Sequence, residues 1–347
     1  MIKKLFFLLL FWTCIVVNAA TYKVLFIGNS YTSVNDLPSL VSAVVGSTGD
    51  HLEISSSTPG GCTFQGHLSN SSISLIRQGG WDYVILQAQS QEPSFPEGQF
   101  MNETYPYAKQ LCEEIRNYSP NASIIFYMTW GRQNGDALNC VYYPPLCTYE
   151  GMDSLLRARY MMMAEDNHAV VSPVGALWHY IRDHYPDIQL YQSDESHPTL
   201  VGSYAAACSF YTILTHQSPA QITVDCNVPE TTASIIRQAA KVVVYDSLSQ
   251  WLFQVDSTHD AIQDRNVINQ ISLYPNPVSN FITIDHIDLS EDAILSCYDV
   301  QGRLCASIKP IDSKVVMNVS NLEEGIYFIQ LEVGNRVITS TKFFKIR

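Results

Sequence analysis

The chain has 347 residues, of which 46% are hydrophobic and 15% are charged, and its formal net charge is -13. This composition is typical of a globular protein and excludes a disordered one. The negative charge argues against nucleic acid or an anionic membrane surface as a partner. The length is sufficient for two domains with a sizeable core.

The first 20 residues have the pattern of a secretory signal peptide. A positive start, Met1–Lys4, precedes an apolar run, Leu5–Val17, and the small residues of Asn18–Ala20 follow. The apolar run is too short for a stable membrane span, so we expect cleavage and export.

Residues 21–253 are predicted to form an α/β domain. The predicted strands are Lys23–Gly28, His51–Ser57, Trp81–Gln87, Ala122–Thr129 and Ala169–Val174. The predicted helices are Leu37–Val45, Phe64–Arg77, Tyr105–Asn117, Gly151–Asn167, Ala176–Asp183, Leu200–Thr215 and Glu230–Phe253. Apolar strands separated by helices predict a parallel sheet that is covered on both faces.

Residues 254–270 are polar without clear periodicity, which predicts a linker. Beyond it, short strand-like segments alternate with turn signals, which predicts a small all-β sandwich over residues 271–347. Its predicted strands are Ile271–Tyr274, Phe281–Asp285, Ala293–Tyr298, Val315–Asn318, Gly325–Val333 and Arg336–Phe344.

The chain has nine cysteines, and Cys14 would be lost with the signal peptide. The others would enter an oxidising compartment, where disulfides form. Cys140 and Cys147 flank a short loop and are the first candidate pair, and Cys297 and Cys305 are a second. No Cys-x-x-Cys pair or His/Cys cluster has ligand spacing, so we expect no metal site and no cofactor.

Two motifs together supply the residues for nucleophilic catalysis. Ser30 follows the first predicted strand, where a parallel sheet binds its ligands. His197 lies three residues after Asp194 and could take a proton from Ser30 while Asp194 orients its ring. Taken singly, the Ser30 motif is better explained as a cap of the following helix, and His197 could be a solvated loop residue.

Other candidates follow the remaining strands. Gly60-Gly61 could present a bare N–H to a ligand. Gln87 and Gln89 could each donate to an oxyanion, although a polar loop start explains them equally well. Trp130 ends the fourth strand and could line the pocket, and His67 could contact substrate.

These blocks, in this order, resemble the SGNH/GDSL hydrolase superfamily over about residues 22–251. Gly28-Asn29-Ser30 is similar to the Gly-Asp-Ser of that family, with Asn in place of Asp, and Asp194-x-x-His197 matches its last block. The resemblance implies a three-layer α/β/α sandwich of the flavodoxin-like type. It also implies attack by Ser30, with Ser30 N–H, Gly61 N–H and the side chain of Gln87 (or of Gln89) as oxyanion donors, and it adds Asn29 to the residues that could contact substrate.

Residues 271–347 resemble the C-terminal sorting domain of the Bacteroidota type IX secretion system. The supporting segments are Leu273–Pro277, Tyr298-Asp299, Gly302-Arg303, Gly325–Tyr327 and Lys342–Ile346. The resemblance implies export through the outer-membrane secretion machinery to the cell surface or beyond. A small carbohydrate-binding sandwich is the alternative.

These observations predict a secreted serine esterase that acts on acyl or acetyl groups of an extracellular carbohydrate. A lipid or general carboxylesterase is an alternative. A non-catalytic glycan-binding protein with the same fold is another, because the family's oxyanion asparagine is absent.

Overall fold

The computed structural model describes residues 20–252, 272–274, 278–285, 293–299, 303–310, 313–333 and 336–345. The chain divides into two compact units, residues 1–257 and 258–347. The predicted signal peptide, apart from its last residue, and the whole of the predicted linker lie outside the described residues. No helix of the described ranges is both long and apolar enough to cross a membrane.

The first unit is built on a five-stranded parallel sheet with the strand order β2-β1-β3-β4-β5. Its strands are β1 (Thr21–Ile27), β2 (His51–Ser57), β3 (Tyr83–Leu86), β4 (Ser123–Tyr127) and β5 (Val170–Ser172). The predicted α/β fold with a parallel sheet is therefore confirmed. Successive residues of β1 from Val24 to Ile27 are at most 1% exposed, because helices cover both faces of the sheet.

The helices of this unit follow the predicted periodicity with four differences. They are α1 (Ser30–Ser33), α2 (Leu37–Gly46), α3 (Phe64–Ser69), α4 (Ser72–Gln78), α5 (Glu97–Glu103), α6 (Tyr105–Tyr118), α7 (Tyr149–Asp166), α8 (Val174–His184), α9 (Leu200–Thr215), α10 (Glu230–Ala240) and α11 (Leu248–Leu252). The predicted helix over 64–77 is broken, because the Asn70 side chain accepts from Ser72 N–H at 2.8 Å and starts a new helix. Helices α1 and α5 are not among the predicted helices, and a π-helical turn, Lys241–Tyr245, interrupts the predicted last helix.

The strand order fixes where a ligand would bind. Connections from β1 lead to β2 on one side of the sheet, whereas β3 lies on the other side of β1. Such a reversal leaves a crevice between the carboxyl ends of β1 and β3, and ligands of open parallel sheets bind there. Ser30 follows β1, and Gln87 and Gln89 follow β3.

The second unit contains two antiparallel sheets with strand orders β10-β7-β6 and β12-β11-β8-β9. Its strands are β6 (Ser272–Tyr274), β7 (Phe281–Asp285), β8 (Ala293–Asp299), β9 (Leu304–Ile308), β10 (Val315–Asn318), β11 (Gly325–Val333) and β12 (Arg336–Lys345). The unit has its own core, which includes Ile282, Leu295 and Ile329. Strand β9 was not predicted, because Leu304 and Ile308 are exposed on a sheet edge and the segment lacks the alternation of a half-buried strand.

Candidate active site

Ser30, His197 and Asp194 form a hydrogen-bonded chain. His197 Nε2 lies 2.8 Å from Ser30 Oγ, and His197 Nδ1 lies 2.5 Å from Asp194 Oδ2. Ser30 and His197 are half-buried, and Asp194 is exposed. The chain has the order nucleophile, base and carboxylate that activates a serine hydroxyl.

Three hydrogen-bond donors within the Asp194–His197 turn hold the carboxylate of Asp194. Asp194 Oδ1 accepts from the backbone N–H of Ser196 at 3.1 Å and of His197 at 2.9 Å, in addition to the ring contact of Oδ2. Partial burial raises the pKa of Asp194, but the hydrogen bonds from His197 and Ser196 outweigh it and hold that pKa below its ordinary value. Asp194 is therefore ionised at neutral pH, as an orienting carboxylate must be.

Ser30 starts a short helix directly after β1. Asn29 caps this helix, because its Oδ1 accepts from Tyr31 N–H at 3.1 Å. Gly28 is required here by close approach, since a Cβ on it would lie 2.5 Å from Thr32 Oγ1 and 2.7 Å from Gln87 Oε1. The strand end and the helix start together fix the backbone that carries the hydroxyl.

Asn29 also joins this helix to the loop that follows β2. Its Nδ2 donates to the carbonyl oxygen of Cys62 at 3.2 Å, and Asn29 is 2% exposed. The sequence-based assignment of Asn29 as a substrate contact is therefore wrong, because every polar atom of its side chain is used inside the protein. An aspartate could cap the helix but could not donate to Cys62.

The loop after β2 carries the predicted backbone donor Gly61. Gly61 is exposed and has a φ of 67°, a left-handed conformation that favours glycine. Cys62 N–H closes the turn by donating to Pro59 O at 3.1 Å, and Thr63 caps α3 by accepting from Gly66 N–H at 3.0 Å. The loop is thus held at both ends, and the bond from Asn29 ties it to the helix of Ser30.

Gln87 does not fit the predicted role of oxyanion donor. It is fully buried, and its Oε1 accepts from Asn29 N–H and from Thr32 Oγ1, each at 2.9 Å. Its Nε2 donates to Ala88 O. The assignment to Gln87 is therefore wrong, because its oxygen braces the backbone around Ser30 and its nitrogen donates to the neighbouring Ala88 carbonyl. The alternative, Gln89, is half-buried.

Aromatic rings support the loop that carries His197. Tyr31 stacks on Trp130 with 4.8 Å between centroids, and Trp130 stacks on Trp178 with 3.7 Å. Tyr31 also meets the His197 ring edge-on at 5.4 Å, and its hydroxyl lies 2.6 Å from Ser196 Oγ. Trp130 is fully buried, so the prediction that it contacts substrate is wrong. Its function in the site is to support the loop of His197.

His67 is a buried structural residue. It is 0% exposed, and its Nδ1 lies 2.7 Å from Ser72 Oγ, which in turn donates to Ser57 Oγ. Burial lowers the pKa of His67 to about 4, against a small opposing effect of the Gly28 carbonyl. The prediction of His67 as a substrate contact is wrong, because a fully buried ring cannot reach a ligand.

Cys140 and Cys147 form a disulfide that closes the loop after β4. The second candidate pair is not bonded: Cys297 and Cys305 are both free. Cys297 is buried within β8, whereas Cys305 is exposed on the neighbouring edge strand.

Two residues of this region were missed from the sequence. Tyr31 directly follows Ser30, and Asp136 lies six residues after Trp130; each is buried and makes a polar contact across the fold. Asp136 Oδ2 accepts a hydrogen bond from Gln91 Nε2 at 2.5 Å. Neither motif nor periodicity marks them, since their roles depend on residues far away in the sequence.

The fold is shared with known structures. A DUF4886 family protein from Bacteroides uniformis superposes with a TM-score of 0.55 at 18% identity, over 66% of this chain and 95% of that one. A candidate SGNH hydrolase from Slackia heliotrinireducens gives a TM-score of 0.46 at 24% identity, over 56% of this chain and 98% of that one. A candidate GDSL-like lipase from Parabacteroides merdae gives 0.42 at 13% identity, over 58% and 98%. No curated protein sequence matches the chain at a significant level.

Residues 272–345 match the model of the secretion system C-terminal sorting domain. The predicted sorting tail is therefore confirmed, and it implies an interaction with the type IX secretion machinery and export to the cell surface or outside. The comparisons thus describe an exported protein whose larger domain shares the fold of the DUF4886 family protein.

Proposed function

We propose that the protein is a secreted serine esterase that removes acyl groups, acetyl above all, from an extracellular carbohydrate. The observation that carries this proposal is the hydrogen-bonded chain from Ser30 Oγ through His197 to Asp194, with contacts of 2.8 and 2.5 Å. It lies at the end of β1, where a parallel sheet of this strand order binds its ligands. The sorting tail supports a substrate outside the cell.

The reaction proceeds through an acyl-enzyme. Ser30 Oγ attacks the ester carbonyl while His197 Nε2 accepts the hydroxyl proton, and Asp194 stabilises the resulting imidazolium. The oxyanion receives hydrogen bonds from Ser30 N–H, Gly61 N–H and the Gln89 carboxamide. His197 then protonates the leaving sugar oxygen, and water, deprotonated by His197, releases the acid and restores Ser30.

A small acyl group fits the surroundings of the serine better than a long one. Ser30 is half-buried, and polar side chains, Gln89, Ser90 and Gln91, follow the neighbouring strand. Cavities of about 400 and 270 Å³ lie elsewhere on the domain, the first beside Arg237 and the second beside His179. A lipid esterase would need an apolar channel at the serine to bury its acyl chain.

Covalent labelling tests the assignment of the nucleophile. The full-length mature protein is treated with a fluorophosphonate, and the labelled peptide is identified by mass spectrometry. We expect one adduct on Ser30, none in Ser30→Ala, and full labelling in Ser193→Ala, which changes an exposed serine beside the triad. An adduct on another residue, or none at all, contradicts the proposal.

Chain-length preference tests the substrate class. We expect release of acetate from an acetylated polysaccharide and faster hydrolysis of acetyl than of long-chain aryl esters. Faster hydrolysis of the long-chain esters would instead identify a lipid or general carboxylesterase.

A further inference from the structure

Gln87, two residues before Gln89, contacts residues on both sides of Ser30. Its Oε1 accepts from Asn29 N–H and from Thr32 Oγ1, each at 2.9 Å. The segment after β3 is therefore tied to the start of the Ser30 helix two residues before Gln89.

The carboxamide of Gln89 is oriented by its oxygen. Oε1 accepts from the backbone N–H of Gln91 at 2.7 Å and of Glu92 at 3.1 Å. Nε2 lies 3.4 Å from Gln91 Oε1, so one of its two hydrogens faces the Gln91 side chain. Within the described ranges no residue pairs with the other hydrogen, which is the one that would donate to a ligand oxygen in the proposed reaction.

Gln91 is in turn held by a buried carboxylate. Gln91 Nε2 donates to Asp136 Oδ2 at 2.5 Å, and this contact turns Gln91 Oε1 towards Gln89. Asp136 is 0% exposed and also accepts from Asn139 Nδ2 at 2.7 Å and from Arg132 Nη1 at 3.4 Å. Burial raises its pKa, but the donors Asn139 and Gln91 outweigh that effect and lower the pKa, so the group is an anion.

The disulfide loop fixes Asp136 through the backbone. Asp136 N–H donates to Leu146 O at 2.7 Å, and Cys140 N–H donates to Asp136 O at 2.8 Å. The bond between Cys140 and Cys147 closes the loop between these two anchor points. The position of the carboxylate therefore depends on a covalently closed segment.

We infer that Asp136 is a positioning residue that, through Gln91, fixes the Gln89 carboxamide as an oxyanion donor. This inference rests on the proposed function and names the supports of its third oxyanion donor. An oxyanion donor acts on the transition state and not on bound substrate. Loss of the support should therefore lower kcat and leave KM nearly unchanged.

A charge swap tests the connection. Gln91→Glu places a carboxylate against Asp136, and Asp136→Asn places an amide N–H₂ against that of Gln91. We expect each single change to lower kcat for a chromogenic acetyl ester about 10- to 100-fold, the scale of a misplaced catalytic group, with KM within about twofold. The double variant Gln91→Glu/Asp136→Asn restores a donor–acceptor pair and should recover most of kcat.

Gln99→Glu is the matched control. Gln99 is exposed on α5 and donates to Glu103 Oε2 at 2.8 Å, so this change also brings two carboxylates together, and kcat should not change. If thermal denaturation shows that Asp136→Asn does not fold, Gln91→Leu tests the inference instead. This change removes the hydrogen bond between Gln91 and Asp136 and leaves Asp136 its other donors. It too should lower kcat about tenfold or more.

The outcomes separate this inference from the proposed function. Wild-type turnover that depends on Ser30, with kcat of Gln91→Glu and Gln91→Leu within twofold of wild type, overturns the inference alone. The inference is also overturned if the single variants have a lowered kcat and the double variant does not recover it. Wild-type protein without Ser30-dependent turnover contradicts the proposed function and the inference with it.

Discussion

Trp130 donates its indole N–H to the carbonyl oxygen of Ser196 at 3.1 Å, one residue before His197. The ring is fully buried between Tyr31 and Trp178. A rigid aromatic stack therefore holds the backbone of the loop that carries the candidate general base. This contact explains why a tryptophan at the end of β4 matters to the site without touching a ligand.

Trp130→Phe keeps an aromatic ring and removes that donor. We expect the free energy of unfolding to fall by about 1–3 kcal/mol, because a buried carbonyl loses its partner. We also expect kcat to fall about tenfold through displacement of His197. Trp81→Phe is the control, since the Trp81 indole donates to Leu75 O at 3.0 Å on another part of the domain. Equal loss of kcat in both variants would contradict a specific role of Trp130.

Asn29→Asp tests the bond between the Ser30 helix and the Gly61 loop. The aspartate keeps an oxygen for the cap but turns a second oxygen towards Cys62 O, in a position that is 2% exposed in the native protein. We expect kcat to fall and the free energy of unfolding to drop by about 1–3 kcal/mol. Asn29→Ser, which keeps a cap without the negative charge, should cost less. An Asn29→Asp variant as active as wild type would show that the hydrogen bond from Asn29 to Cys62 O is dispensable.

Burial of His67 predicts a pH-dependent stability. Its pKa is about 4 in the folded protein, against an ordinary value of 6.5. The unfolded chain therefore binds the extra proton between these values, so stability falls as the pH is lowered from about 6.5 to about 4, by about 3 kcal/mol from this group. Denaturant titrations across this pH range should show that the free energy of unfolding depends less steeply on pH in His67→Gln than in wild type. His51→Gln, a change at an exposed residue, should leave this pH dependence as in wild type. An unchanged pH dependence in His67→Gln would contradict the lowered pKa of His67.

The disulfide loop predicts sensitivity to reductant. Because Asp136 bonds to the backbone of Cys140 and Leu146, Cys140→Ser/Cys147→Ser should lower kcat while the domain stays folded. Thiol reductant should lower kcat of wild type and have no further effect on the double variant. Cys305→Ser, at an exposed free cysteine, is the control. Full activity of the reduced protein would show that the loop holds Asp136 without the bond.

The residues of the candidate site could be proposed from the sequence, but the residues that support them could not. Ser30 and His197 are 167 residues apart, yet the carboxyl-edge rule for parallel sheets predicts the position of Ser30, and the Asp-x-x-His spacing predicts its partner. The choice between Gln87 and Gln89 failed because β3 ends at Leu86. Beyond that residue the chain no longer alternates, so side-chain direction could not be read from period two.

The sequence also could not show which polar residues near the motifs are buried. Asn29, His67 and Trp130 have the residue types of a binding site, but each is at most 2% exposed. A polar side chain near a motif can bind a ligand or satisfy the backbone beside it, and the sequence pattern is the same in both cases. The partners that decide, such as Cys62 O and Ser196 O, come from other segments of the chain.

The most direct test is ester hydrolysis by the full-length mature protein, wild type beside Ser30→Ala, with a chromogenic acetyl ester and an acetylated polysaccharide. The account predicts turnover by wild type that falls about 10⁴-fold or more in Ser30→Ala, the order expected when a triad serine is lost, with an unchanged melting transition. Turnover that survives in Ser30→Ala, or none in wild type on either substrate, would contradict it.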